Sequence, residues 1–167
     1  MTRRPPEPVG IIKTRRDAAL VRLTEAIPYA AFLGIRFERR GDELTALLPY
    51  GDHLIGNPRV PALHGGAVAA FLEVTAVVSL GWSLIWEAVE AETLPPALHL
   101  PKTIDFTVDY LRSGLPRDLY ARASVTRSGR RFASVMAEAW QDNRDRPMAQ
   151  AHGHFLMPEA WPQDAPG

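Results

Sequence analysis

The hydrophobic and polar positions of this chain change period several times along its length. From Thr14, the residues Leu20, Leu23 and Ile27 recur at helical spacing, and Asp17 follows Thr14 in a capping-box pattern. A short N-terminal helix closed by Pro28 is therefore predicted. Ile35, Phe37 and Arg39 then alternate with Arg36, Glu38 and Arg40, and Gly41-Asp42 turns this strand into a second, Glu43–Leu48. A Gly- and Pro-rich loop follows over Tyr50–Leu63. Alternation then stops: Leu63–Trp86, LHGGAVAAFLEVTAVVSLGWSLIW, is apolar on nearly every face of a helix and carries one carboxylate, Glu73. Glu87–Pro101 reads as irregular, with Pro95-Pro96 inside it. Beyond it the period is two again. In Thr103–Leu111 the residues Ile104, Phe106, Val108 and Tyr110 share one face, and Thr103, Asp105, Thr107 and Asp109 the other. Leu119–Thr126, Phe132–Gln141 and Met148–Met157 complete the strands, with turns at Ser128-Gly129 and Asp142–Arg146.

A helix apolar all round must be wrapped by protein or by lipid. Its length suits a membrane span of about 20 residues. Against that stand Glu73 near its middle, Thr75 and Ser79, Glu87 and Glu90 just beyond, and the lack of a Lys/Arg flank. Three late strands joined by short turns must be antiparallel neighbours. The expected fold is α+β: a single curved, mostly antiparallel sheet wrapped around one long apolar helix (about residues 64–86), with a short N-terminal helix. Residues 1–12 are expected to form a disordered arm, 13–158 a single domain, and 159–167 a C-terminal tail.

Composition narrows the function. Hydrophobic residues at 46% and charged residues at 23% are ordinary for a globular domain, and the formal net charge of zero gives no reason to expect a nucleic-acid partner. The absence of cysteine removes disulfides, thiolate metal sites and cysteine nucleophiles together. No apolar run follows the charged N-terminus, so no secretory signal is read and a cytoplasmic setting is expected, with no membrane partner. His152 and His154 share a strand face but lack a third ligand, so no metal is expected. Ser79 and Ser83 lack the G-x-S-x-G context of a serine hydrolase.

The remaining chemistry gathers at the start of the long helix. His64-Gly65-Gly66 heads it, and Glu73 follows nine positions after the histidine. A helix N-terminus offers unpaired N–H groups and about half a positive charge, and glycine lets a ligand approach them. A carbonyl becoming an oxyanion needs such donors. Together with VDYLRSG (108–114), SGRR (128–131) and AQAHGHF (149–155), the motif resembles the hotdog-fold acyl-CoA thioesterases of the phenylacetate-degradation (PaaI-like) type, over roughly Ala31 to Met157.

The resemblance implies hydrolysis of an acyl-CoA thioester to free acid and CoA. By it, Glu73 is the nucleophile or the general base, and the Gly65 N–H polarises the thioester carbonyl. Asn57 resembles a residue orienting that carbonyl and Thr103 one positioning water; His64 belongs to the helix entrance, with a role as catalytic base ranked below Glu73, and Gly66 is expected to bind substrate. No cofactor is expected beyond the CoA of the substrate. Arg112, Arg127, Arg130 and Arg131, at strand ends or in a hairpin, are candidates to meet the CoA phosphates. Phe71, Trp82 and Trp86 either shape an acyl pocket or belong to the core. Two other readings stay open, a non-catalytic acyl-CoA binding module and a hotdog hydratase or dehydratase.

Geometry adds a demand. Gly65 and Glu73 lie eight residues apart, about 12 Å along one helix, too far for one thioester carbon to sit near both. A two-fold pairing of antiparallel helices brings Gly65 of one subunit to Glu73 of the other. The expected assembly is at least a homodimer, with a homotetramer in view.

Overall fold

The computed structural model describes residues 7–158, so half of the expected N-terminal arm and all of the C-terminal tail lie outside the described residues. The first helix, α1, runs Val9–Glu25, five residues ahead of its predicted start, so residues 9–12 are helical and not loose. Thr14 is no cap: its hydroxyl donates to Gly10 O, one turn back. The early turns are tied by charge instead, Arg15 to Glu7, Glu90 and Glu92, and Arg16 to Glu90. Most of these partners are remote in sequence, which is why local periodicity missed the extension.

Pro28 opens a helix where it was expected only to close one. The short helix α2, Pro28–Leu33, carries the proline in its first turn, where the missing N–H costs no bond. Strands β1 (Arg36–Arg40) and β2 (Glu43–Leu48) form the predicted hairpin. The loop that follows is more ordered than its composition suggested. It contains a 3₁₀ turn, Asp52–Leu54, and a small antiparallel pair, β3 (Ile55–Asn57) and β4 (Ala62–Leu63). His64 N–H donates to Leu54 O at 2.7 Å and Leu63 N–H to Gly114 O at 2.9 Å, so the long helix starts from a fixed point.

That helix, α3, spans Gly65–Glu90, one turn longer than predicted. Glu87 to Glu90 were read as irregular. They continue the helix because no breaker intervenes, and Arg16 of α1 holds Glu90 at 2.8 Å. The chain leaves the helix at Ala91 and turns through Glu92, whose φ of 57° is left-handed.

Four further strands, β5 (Lys102–Tyr110), β6 (Leu119–Ser128), β7 (Phe132–Trp140) and β8 (Ala149–Leu156), complete a six-stranded sheet. Its order is β1-β2-β6-β7-β8-β5, antiparallel throughout, with β1 and β5 as edges. This is the hotdog arrangement expected: α3 lies against one face of the sheet, with Phe71, Leu72, Val78 and Ile85 fully buried and Leu23 of α1 closing the side. Among the described residues α3 is the one helix long and apolar enough to cross a bilayer. Yet 67% of its most apolar stretch is buried inside the protein, so its wrapping is the sheet.

Strand β5 departs from its predicted alternation. Against β8, Thr103 stands opposite Phe155 and Asp105 opposite His154, leaving Ile104 as the extra residue of a β-bulge. Opposite residues of an antiparallel pair share a face, and Phe155 is fully buried, so Thr103 points toward the helix. Ile104, predicted to face inward, is 53% exposed. Gly153 on β8 makes room for the bulge: a Cβ there would lie 2.5 Å from the Phe106 ring and 2.8 Å from Asp105 O.

Candidate active site

The head of α3 is capped by the side chain before it. His64 Nδ1 accepts the Gly66 N–H at 2.8 Å. A ring nitrogen that accepts carries no proton, so the imidazole proton sits on Nε2. The Gly66 N–H is thereby used within the protein. The Gly65 N–H, in the first turn, has no carbonyl within the helix to reach and makes no hydrogen bond among the described residues. On its other side Gly65 O accepts from Tyr110 Oη at 2.6 Å. The Tyr110 ring would lie 3.3 Å from a Cβ at residue 65, so glycine there lets the phenol approach. Leu63, Gly65, Val68, Tyr110, Arg112 and Met148 line a cavity of about 350 Å³ at this helix head.

Two turns on, Glu73 is half-buried, and its Oε1 accepts from Thr103 Oγ1 at 2.6 Å. The bulge at Ile104 makes this bond possible, because regular alternation would aim Thr103 at the outer face. Oε2 has no partner among the described residues. Between the two groups, Gly66 is exposed and Ala67, Ala69 and Ala70 are half-buried, a strip of small side chains. Both ends of that strip touch β5, through Tyr110 and through Thr103, and β5 is a free edge of the sheet.

Of the residues singled out from the sequence, Glu73 and Thr103 are brought together, and Gly65, Gly66 and His64 form the head. Asn57 ends β3, and its Oδ1 accepts the Arg59 N–H at 3.0 Å, a turn-forming bond. Arg112 lines the cavity at the head, at the Tyr110 end of β5. Arg127, Arg130 and Arg131 lie at or beside the β6–β7 hairpin, at the Lys102 end, so one protomer does not gather the four into a patch. All four are exposed.

His154, weighed as half of a metal pair, instead meets Asp105 at 3.0 Å, and no group of three metal-ligating side chains occurs among the described residues. The aromatic residues of α3 resolve mostly as core. Phe71 is fully buried, and Trp86 stacks under the Arg16 guanidinium at 4.3 Å and packs edge-on against Trp82. Tyr110 was placed on the correct strand face from sequence, but nothing in the pattern announced its bond to Gly65.

Residues 57–156 match the family described as the acyl-CoA thioesterase N-terminal domain. The medium/long-chain acyl-CoA thioesterase YigI of Escherichia coli K12 is 33% identical over 115 residues, covering 67% of this chain and 74% of that protein. A protein of Shewanella oneidensis related to the thioesterase superfamily superposes with a TM-score of 0.73 at 25% identity, over 87% of this chain and 97% of the other. A phenylacetic acid degradation-related protein of Ralstonia eutropha JMP134 shares the fold, with a TM-score of 0.62 at 21% identity, covering 83% and 98%. Fold and match together define a hotdog-fold thioesterase. The chain belongs to the acyl-CoA thioesterase family, and it is an enzyme of that class.

Proposed function

We propose that the protein hydrolyses medium- to long-chain acyl-CoA at two equal sites, each built across the two-fold axis of a homodimer. The chain-length class is suggested by the likeness to YigI. The observation that carries the site is the arrangement along α3. A free Gly65 N–H at its head and Glu73 farther along both abut the free edge strand β5.

Antiparallel pairing of two β5 edges lays two α3 helices side by side. The Gly65 end of one then meets the Glu73 end of its mate. The same operation brings Arg112 of one protomer toward Arg127, Arg130 and Arg131 of the other, where a CoA phosphate would find them together. Pairing of two such dimers into a tetramer is compatible with this edge contact.

Glu73, oriented through Oε1 by Thr103, uses Oε2 to take a proton from water as the water oxygen bonds to the thioester carbon. The carbonyl electrons move onto oxygen, held by the Gly65 N–H. Collapse breaks the C–S bond, and the thiolate leaves with the proton from Glu73. In the nucleophilic variant Glu73 attacks first and water then opens the anhydride. Either way the reaction balances with water alone, and a cytoplasmic enzyme acting on soluble acyl-CoA fits it.

The test is thiol release over a panel of acyl-CoA chain lengths, with wild type beside Glu73→Gln and Glu73→Ala. The expected loss is roughly 10²- to 10⁴-fold in kcat. Full activity in both variants would remove Glu73 from the mechanism.

A further inference from the structure

Tyr110 stands where the free edge of the sheet touches the helix head. Its hydroxyl donates to Gly65 O at 2.6 Å. Its ring lies against Gly65, close enough to meet any Cβ at 3.3 Å. The side chain is 53% exposed, so the contact is not a by-product of burial in the core. A hydrogen bond at a surface position contributes modestly to stability, yet this one fixes the residue whose N–H carries no bond of its own.

Three anchors surround that N–H. His64 Nδ1 takes the Gly66 N–H at 2.8 Å, so the next amide is turned away from any ligand. His64 O accepts from Val68 N–H at 3.1 Å, which fixes the far side of the peptide that ends in the Gly65 N–H. Tyr110 holds the Gly65 carbonyl. Glycine has the widest backbone freedom of any residue, and two in succession head this helix. The bonds to His64 fix the peptide before Gly65, and Tyr110 restrains the peptide after it, so the two peptides that flank the Gly65 Cα are both held.

We infer that Tyr110 is a positioning residue for the oxyanion donor: its hydroxyl holds the Gly65 carbonyl, and with it the residue whose N–H points at the developing negative charge. This rests on the reading of Gly65 as that donor. It also ties the donor to the strand through which the dimer is proposed to form, since Tyr110 is the last residue of β5. Oxyanion stabilisation acts in the transition state more than in the ground state. Losing the lock should therefore lower kcat and leave KM nearly unchanged.

The experiment compares wild type, Tyr110→Phe, Tyr110→Ala and Glu73→Gln by steady-state thiol release on one acyl-CoA, with thermal melting and size-exclusion chromatography of each. Tyr110→Phe keeps the ring and removes only the hydroxyl. It should lose roughly 10- to 100-fold in kcat, with KM within about twofold and with unchanged melting temperature and oligomeric state. Tyr110→Ala should lose no less. Wild-type kcat in Tyr110→Phe would overturn the inference, as would a loss that appears mainly in KM or only with dissociation of the oligomer. Glu73→Gln separates the two levels. If it is inactive while Tyr110→Phe is fully active, only the positioning role fails; if Glu73→Gln is itself fully active, the site reading fails with it. Should Tyr110→Phe misfold, Tyr110→Ala carries the same test, read on the split between kcat and KM.

Discussion

Thr103 reaches Glu73 across 30 residues of sequence, hydroxyl to carboxylate at 2.6 Å, because a single extra residue in β5 turns it inward. On the proposed mechanism this bond holds Oε1 and leaves Oε2 for water. Thr103→Val, close in shape but without the hydroxyl, should lower kcat by roughly 10-fold or more while the fold persists. Thr103→Ser should keep most of the activity. Equal rates for Thr103→Val and wild type in the thiol-release assay would leave the threonine a bystander.

The bulge has its own dependency, on Gly153. A methyl there would sit 2.8 Å from the Asp105 carbonyl oxygen, a backbone atom with little room to retreat, and 2.5 Å from the Phe106 ring. Gly153→Ala should therefore displace β5 against β8, at a cost of about 1–3 kcal/mol, the range for overpacking. It should also take Thr103 out of register with Glu73. The two effects are read by denaturant unfolding and by kcat, and a variant as stable and as fast as wild type would show the bulge to be tolerant.

How much of this was open to reading in the sequence depends on the range of the interactions involved. The apolar helix, its glycine head and its acid were legible because they are local: composition and spacing within Leu63–Trp86 carry them. The antiparallel order of β6, β7 and β8 was legible because short turns leave no alternative. Thr103 was assigned to the wrong face because alternation assumes a regular pleat, and the bulge is set by β8, some 50 residues away. The early start of α1 was missed for the same reason. Arg15 and Arg16 find most of their partners at Glu90, the last residue of α3, and at Glu92 just beyond it. Tyr110 belongs to the VDYLRSG motif, but its partner is a backbone carbonyl, which no side-chain pattern reports.

The ion pair between Arg16 and Glu90 gives the fold a testable acid limb. The hydrogen bond from Arg16 holds the Glu90 carboxyl below its ordinary value of 4.5, against the opposing effect of partial burial. A carboxyl with a depressed pKa binds fewer protons folded than unfolded. Its stabilisation is thus complete above the ordinary carboxylate range and is lost as pH falls through that range and below it. Glu90→Gln should lower the melting temperature at neutral pH and flatten its decline between about pH 5 and pH 3. A variant whose melting curve falls with acid as steeply as wild type would put the sensitivity elsewhere.

The proposed dimer can be tested without a structure of the assembly. Gly65→Val places a branched side chain where the Tyr110 ring lies and spoils the donor; Glu73→Gln removes the acid. Each variant alone should be inactive, since every one of its sites lacks one half. Unfolded together and refolded as a mixture, the two chains form mixed dimers. In such a dimer one site combines the intact Gly65 of one protomer with the intact Glu73 of its mate. With random isologous pairing, half the dimers are mixed and half of their sites are whole, so roughly a quarter of wild-type activity should return. A site contained within one protomer predicts no recovery at any mixing ratio, because no single chain in the mixture carries both groups. The yield at equal mixing, and its return to zero as either variant is brought to excess, therefore decides whether the donor and the acid act across the interface.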